Sequence, residues 1–290
     1  MSTGQQRTKK RLGGISKIRK VTAAMHRVAA TRLANDRRAM LNAGYYNRKL
    51  LEVLREVCVA APDYRHVLLD QRRQQHTVEI AVFSSDFGMC GGFNVELMEK
   101  LQAFIRENPE QIVKLRVTGR IVGRMARRDG IALLENNAQP KRQQRTQQID
   151  ALAARMTQYF VSRNSDAAYI LFSRDINGIK QEAVIEQLLP VPFEFPEGHR
   201  PRLAAAVFEP TVEAVLEHLL GEYVAQALDR AFLSSLASEN AARRTAMAQA
   251  TDNAAGAQRE VEKQYRRIRQ NDITREMLET GAEQAWQQGA

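Results

Sequence analysis

The chain of 290 residues has no long hydrophobic run. Its longest apolar stretches, such as Ala167 to Phe172 and Leu203 to Phe208, are strand-sized, far short of the about 18 residues that span a bilayer. A soluble or peripheral protein is expected, with no direct insertion into a bilayer. Cysteine is scarce. Cys58 and Cys90 form no Cys-x-x-Cys pair and cannot build a disulfide framework, so a reducing compartment and two free, half-buried thiols are expected. Aromatic residues make up 6% of the chain, few for a surface that stacks on nucleic-acid bases. Acidic residues are missing from Met1 to Asn35, where Lys and Arg are frequent, as in a mitochondrial transit peptide. The apolar spacing continues unbroken into Leu41, however, as in a retained helix. After Pro210 there is no further proline, which leaves room for one very long helix.

The motifs of common chemistries are also missing. Gly88-Met89-Cys90-Gly91-Gly92 stands where a phosphate loop could follow a strand, but it is neither G-x-G-x-x-G nor G-x-x-x-x-G-K-[ST]. No Lys follows to hold a phosphate, so a packed turn where helix meets sheet is expected and no nucleotide cofactor. His26, His66, His76, His199 and His218 show no i, i+4 pair and no Cys at ligand spacing, which argues against a metal. Cys90 beside Ser85 and Asp86 has no His placed by sequence to activate it, and no nucleophile elbow occurs. No catalytic residue is assigned.

Among the features present, 43 Lys and Arg against 33 Asp and Glu give a net charge of +10, a bias toward nucleic acid, anionic lipid or an acidic protein surface. From Lys9 to Val59, the residues Ile15, Ile18, Met25, Ala29, Leu33 and Met40, then Leu50, Leu54 and Val57, recur at helical spacing, and Pro62 ends the run. The period then becomes two. Val78, Ile80 and Val82 predict a strand, Ser84 to Gly92 a turn, and Val95 to Ile105 a helix; Lys114 to Thr118 predicts a second strand and Ile121 to Arg128 a short helix. Asn136 to Gln148 reads as a loop and Ile149 to Val161 as a helix. Ala167 to Ser173 and Ile179 to Leu188 read as strands joined across Asn177-Gly178. Alternating strands and helices predict an open α/β sheet.

Beyond Pro210, the residues Leu216, Leu220, Tyr223, Ala227, Ala231, Ala250, Ala254, Ala257, Val261, Tyr265 and Ile268 keep helical spacing. About seventy helical residues would extend roughly 100 Å, too far for a compact domain to cover, so the partner must be the other long helix. The expected fold is α/β: a long antiparallel coiled coil of N- and C-terminal helices with a central Rossmann-like open α/β domain. Its parts are a coiled-coil helix at 1–62, an α/β base at 76–195 and a second coiled-coil helix at 208–290. Ala24, Ala29, Ala250 and Ala254 are candidate small seam residues that let the axes approach.

Leu236-Ala-Ser-Glu-Asn-Ala-Ala-Arg243, Ala246-Met247, Ala250-Thr-Asp-Asn-Ala254, Tyr265, Arg269-Gln270 and Ile273-Thr274 resemble the C-terminal signature of the gamma subunit of F-type ATP synthases. Thr22 to Leu33, Ser85-Asp86 with Cys90-Gly-Gly-Phe-Asn94, and Phe208-Glu209-Pro210 resemble further blocks of that family, in order. The resemblance spans nearly the whole chain, although Asn108 to about Arg163 match only in general pattern. It implies a non-catalytic central-stalk rotor that couples proton or sodium translocation to ATP synthesis or hydrolysis on other subunits. The implied partners are the alpha and beta subunits of the catalytic hexamer, the epsilon subunit and the membrane c-ring, on the cytoplasmic face of a bacterial inner membrane. By position, it places Met25, Arg27, Arg243, Arg244, Arg269, Gln270, Thr274 and Glu279 among the shaft contacts, and Phe208 and Glu209 at the rotor base.

The chain also departs from that pattern. Arg27 and Arg244 stand where the family usually has Met, and both are expected to point outward toward an acidic loop of the beta subunit. Phe87 replaces a common Arg. Gly13-Gly14 is costly inside a helix, so the first helix is expected to begin at Ile15. Gly281 to Ala290 has Trp286 as its one bulky apolar residue, where the family tip is apolar. A basic coiled-coil protein binding nucleic acid is the competing reading, opposed by scattered basic residues and the interposed α/β unit. An α/β enzyme with helical arms lacks any acid, base or nucleophile constellation.

Overall fold

The computed structural model describes residues 3–60, 66–72, 75–176, 180–192, 208–209 and 211–288, with side chains as far as Leu278. The expectations placed on Pro62, Asn177-Gly178, Pro210, Glu279 and Trp286 lie outside the described residues or side chains. In chain order the elements are α1 (Thr3–Ala60), β1 (Thr77–Phe83), α2 (Phe93–Glu107), β2 (Ile112–Thr118), α3 (Arg120–Arg128), β3 (Ala132–Asn137), α4 (Arg145–Val161), β4 (Ala167–Asp175), β5 (Gln181–Leu189) and α5 (Val212–Gln288). The chain forms two compact units, Ala30–Arg243 and Met1–Ala29 with Arg244–Ala290. Each is described by itself.

The larger unit is built on a five-stranded sheet in the order β3-β2-β1-β4-β5. β1 pairs in parallel with β2 and β4, β2 in parallel with β3, and β5 runs antiparallel to β4. Side chains of β1 alternate between two cores. Ala81 and Phe83 join Leu54 and Val57 of α1, Met156 and Phe160 of α4, and Leu220, Val224 and Leu228 of α5. Val78, Ile80 and Val82 instead meet Leu97, Met98 and Leu101 of α2 and Val122 and Ala126 of α3. Helices on both faces explain why β1 is apolar at nearly every position, since a central parallel strand has no wet side. Glu79 is the exception. Its carboxylate is bonded by Arg116 of β2, which also reaches Glu135 of β3, and Arg155 of α4 pairs with Glu135 at 2.8 Å. A ladder of alternating charge, buried at Glu79 and Arg116 and opening to the surface at Arg155, therefore crosses three strands under α4.

Two local differences from the sequence expectation have clear causes. Asn136 to Gln148 is not a plain loop: β3 reaches Asn137, a 3-10 turn forms at Arg142–Gln144, and α4 starts at Arg145. The strand Ala-Leu-Leu-Glu-Asn-Asn has poor intrinsic propensity, and it is held by pairing with β2 and by the Arg116–Glu135 ion pair. α1 does not begin at Ile15 but runs through Gly13-Gly14 from Thr3. Two glycines cost about 1 kcal/mol each relative to Ala, yet good helix formers flank them, and continuing a helix is easier than renucleating one.

In the smaller unit, Met247, Ala254 and Val261 of α5 are buried at intervals of seven residues, as are Thr22 and Ala29 of α1. That is the repeat of a coiled-coil seam. The Thr22 and Thr251 hydroxyls lie 2.8 Å apart, and Arg19 Nη1 donates to Gln258 Oε1 at 3.3 Å. Partner numbers fall on one helix as they rise on the other, so the pair is antiparallel. Ala29 and Ala254 are buried as seam residues, Ala250 is half-buried, and Ala24 is exposed rather than in the seam. Ile18 also escapes its expected place and is 58% exposed. The seam is filled by residues seven apart, and that register turns Ile18 away.

Candidate functional site

A doubly wound sheet binds its ligands outside the carboxyl ends of the strands, where the strand order reverses. Here that place lies between β1 and β4, whose carboxyl ends are Phe83 and Asp175. It is occupied by the chain's own helix. Ser235 Oγ of α5 donates to the Phe83 carbonyl at 2.7 Å, and Ser234 Oγ and Ser238 Oγ each donate to the Ser173 carbonyl at 3.1 Å. The Ser173 amide in turn donates to Ser235 Oγ at 3.3 Å. Three hydroxyls thus donate to strand-end carbonyls that water would otherwise meet. All three serines are buried, and Ala231, Ala237 and Ala241 beside them are small enough to let the helix come this close.

One turn further along α5, Glu239 and Arg243 extend the contact. Glu239 Oε1 pairs with Arg243 Nη1 at 2.7 Å, and Glu239 Oε2 accepts from Gln139 Nε2 at 2.7 Å. Gln139 also donates its amide nitrogen to the Ser84 carbonyl and its backbone N–H to Asp86. Burial pushes the Glu239 carboxyl above its ordinary range, against the pull of Arg243 and Gln139. Arg243 Nη2 donates to the carbonyls of Phe87 and Gly88 at 3.3 and 3.4 Å. These two residues belong to the glycine-bearing turn after β1.

That turn is a packed structure, as its spacing suggested. Ser85 N donates to Asn94 Oδ1, Asn94 Nδ2 donates to Ser85 Oγ at 2.8 Å, and Asn94 Nδ2 also lies 3.2 Å from Cys90 Sγ. Gly119 packs so closely beneath it that an added Cβ would stand 2.1 Å from the Ser84 carbonyl oxygen, at a φ of +106°. Cys90 and Cys58 are fully buried rather than half-buried, and desolvation raises both thiols, Cys58 to about 11. Neither is an activated nucleophile. Among the described residues, no group of three or more His, Cys, Asp or Glu is placed to hold a metal ion, and no helix is long and apolar enough to cross a membrane. A cavity of about 470 Å³ lies beside β2, β3 and α4, and its charged lining is Lys141 together with the Arg116–Glu135–Arg155 ladder, which is already paired.

The residues singled out by resemblance fall in three places. Arg243, named among the shaft contacts, is half-buried and bonded to the turn. Phe208 packs against the core of the larger unit and Glu209 is exposed. In the smaller unit Met25 and Arg244 are half-buried, while Arg27, Arg269, Gln270 and Thr274 are exposed. Arg27 Nε donates to the Ala23 carbonyl and Thr274 Oγ1 to the Gln270 carbonyl, both within their own helices. Sequence reasoning missed Ser234, Ser235, Ser238 and Gln139. Three serines amid apolar residues in mid-helix were the available signal, because a hydroxyl there must find a buried partner. It also missed that Ile18, Val21 and Val28 form an exposed apolar row on α1.

Comparison with known proteins agrees with this architecture. A family model described as ATP synthase matches residues 5–283. An ATP synthase gamma chain of Anaeromyxobacter sp. (strain Fw109-5) is 32% identical over 289 aligned residues, covering 94% of this chain and 96% of the relative. One from Acidithiobacillus ferrooxidans (strain ATCC 53993 / BNL-5-31) is 33% identical over 274, covering 92% and 94%. Among solved structures, a chain in the central stalk/c-ring of the Tetrahymena thermophila mitochondrial ATP synthase superposes with a TM-score of 0.60 at 20% identity. It covers 79% of this chain and 99% of that one. A chain of the Euglena gracilis mitochondrial ATP synthase gives 0.57 at 18% identity, covering 92% and 96%.

Proposed function

The chain belongs to the ATP synthase gamma-chain family, and from that premise we propose that it is a central-stalk rotor subunit. It couples proton or sodium translocation through a membrane sector to ATP synthesis or hydrolysis on an alpha/beta hexamer, and has no nucleotide site of its own. The observation that carries the non-catalytic part is the occupied crevice: α5 fills the ligand place of the sheet with Ser234, Ser235 and Ser238. A subunit of this kind acts by presenting different contacts to three equivalent partners, so that its orientation biases which one is open.

Met25, Arg27, Arg243, Arg244, Arg269, Gln270, Thr274 and Glu279 are assigned to the shaft that meets alpha and beta subunits. The exposed row Ile18, Val21 and Val28 supplies apolar area beside them. Arg243 also holds the turn after β1 to α5. Phe208 and Glu209 are assigned to the base, where the epsilon subunit and c-ring would meet it. The domain reading keeps a helix at 1–62, a base at 76–195 and a helix at 208–290, with the protein peripheral on the cytoplasmic face of a bacterial inner membrane.

Reconstitution with alpha and beta subunits tests this. Assembly and rotation-coupled ATP hydrolysis are expected; failure to assemble would overturn the reading. Reversing charge at Arg27 and Arg244 is expected to lower ATP-driven pumping more than assembly, and unchanged coupling would remove those two from the shaft contacts.

A further inference from the structure

α3 is a nine-residue helix with two opposed faces. Val122, Gly123 and Ala126 are buried against the sheet, whereas Arg120, Arg124, Arg127 and Arg128 are all exposed. At 100° per residue these four guanidinium groups lie within about a quarter of the helix circumference. Arg128 is paired with Asp129 at 3.1 Å. Among the described residues, Arg120, Arg124 and Arg127 have no ion pair.

This row is held against local preference. Arginines one turn apart repel along a helix, and Arg120 sits in the first turn, where the helix dipole disfavours a cation. No acidic residue occupies that first turn to offset it. The platform is also rigid. Ile121 N donates to the Ser85 carbonyl at 3.0 Å, Ser84 Oγ donates to the Gly119 carbonyl at 3.0 Å, and an added Cβ at Gly123 would stand 2.4 Å from Asn136.

We propose that the arginine face of α3 is a docking surface for an acidic helix of a partner protein, one that presents carboxylates a turn apart. This rests on the reading of the chain as a subunit of an assembly. Arg120, Arg124 and Arg127 rise by about 6 and then about 4.5 Å along the axis, the spacing of carboxylates at i, i+4 and i+7 of a facing helix. Each guanidinium can bond a carboxylate through two parallel N–H groups. The arginine face carries no exposed apolar side chain to enter a bilayer. It carries no aromatic ring to stack on a base.

The test uses the assembled complex, purified through a tag on this chain, with a photoreactive benzophenone amino acid in place of Arg128. That residue borders the row without belonging to it. The expected result is a protein adduct whose cross-linked peptide carries three or more Asp or Glu within two helical turns. Its yield should fall roughly tenfold when Arg120, Arg124 and Arg127 are all changed to Glu. An adduct to lipid or nucleic acid, to a peptide without such acids, or no adduct from an assembled complex overturns the inference. The cross-link needs none of the three arginines altered, so a variant that fails to fold leaves that arm intact. If no complex forms around the tagged chain, it is the subunit reading that has failed.

Discussion

In the smaller unit two helices meet along a line of single residues seven apart, Met247, Ala254 and Val261 against Thr22 and Ala29, and much apolar surface stays outside, as at Ile18, Val21 and Met277. In the larger unit the core side chains are enclosed on all sides, Leu54, Phe83, Phe160 and Phe172 among them, although Phe87, Met89 and Ile112 stay exposed at its surface. Enclosure gives a residue many partners, and a seam gives it few. Stability is therefore concentrated in the sheet unit, and the helix pair keeps free surface for other chains. The polar groups differ as well. In the larger unit the buried Glu239 and its neighbour Arg243 are bonded beyond α5, to Gln139 and to the carbonyls of Phe87 and Gly88; in the smaller unit the Thr22–Thr251 and Arg19–Gln258 contacts bridge the helices and Thr274 bonds within its own helix.

The comparison can be broken most forcefully at Phe172. Replacing it by Ala should cost about 3–5 kcal/mol, because a fully enclosed ring leaves a cavity that rigid strands cannot fill. Native-state hydrogen exchange should show the loss in amides of β1, β4 and β5; a loss below about 1 kcal/mol would mean that the enclosure is not what stabilises the unit. Ser235→Ala should cost about 1–3 kcal/mol, since the Phe83 carbonyl loses a buried partner. The same exchange experiment should place that effect at the carboxyl ends of β1 and β4. Ser235→Thr, which keeps the hydroxyl, should recover part of it.

Asp166 comes next. Burial alone would raise its carboxyl, but the Thr77 N–H, Arg72 and the His76 N–H outweigh that and hold it below its ordinary value of 3.8. A carboxyl lowered by folding contributes stability that is present above the unfolded value and lost as pH falls through the folded one. Asp166→Asn should therefore destabilise by about 1–2 kcal/mol at neutral pH and by progressively less below pH 3.8, followed by urea titration at several pH values. A penalty that does not change with pH would remove the charge from the explanation. The smallest effect is expected in the seam. Ala254→Gly should cost about 1 kcal/mol, through helix propensity more than packing, with exchange faster only in the helix pair.

Much of the fold was legible because long periodic stretches carry redundant information. Leu50, Leu54 and Val57, and Leu216, Leu220 and Tyr223, each report the same buried face several times, so α1 and α5 could be placed from spacing alone. β3 could not, because Glu135 and Asn136 are in a strand for the sake of their neighbours, not by their own preference. Seam residues were harder to read for a related reason. Ala24 and Ala29 look alike in sequence, and the relative rotation of two helices decides which is buried. The resemblance puts Arg243 among the shaft contacts, and side-chain spacing does not reveal what the residue touches within its own chain. Its partners, the carbonyls of Phe87 and Gly88, lie 155 residues and more away in sequence, and backbone acceptors leave no mark in a pattern of side chains.

The serine contact at the head of the sheet has a consequence for the family of folds it resembles. In an enzyme of this topology a small molecule arrives there from solution, and its occupancy depends on how much of it is present. Here the occupant is tethered by a peptide bond, so dilution cannot remove it and a free nucleotide would have to compete with a group at fixed, high effective concentration. Ser234, Ser235 and Ser238 act as a permanent internal ligand, and a fold that elsewhere senses metabolites serves here as a socket.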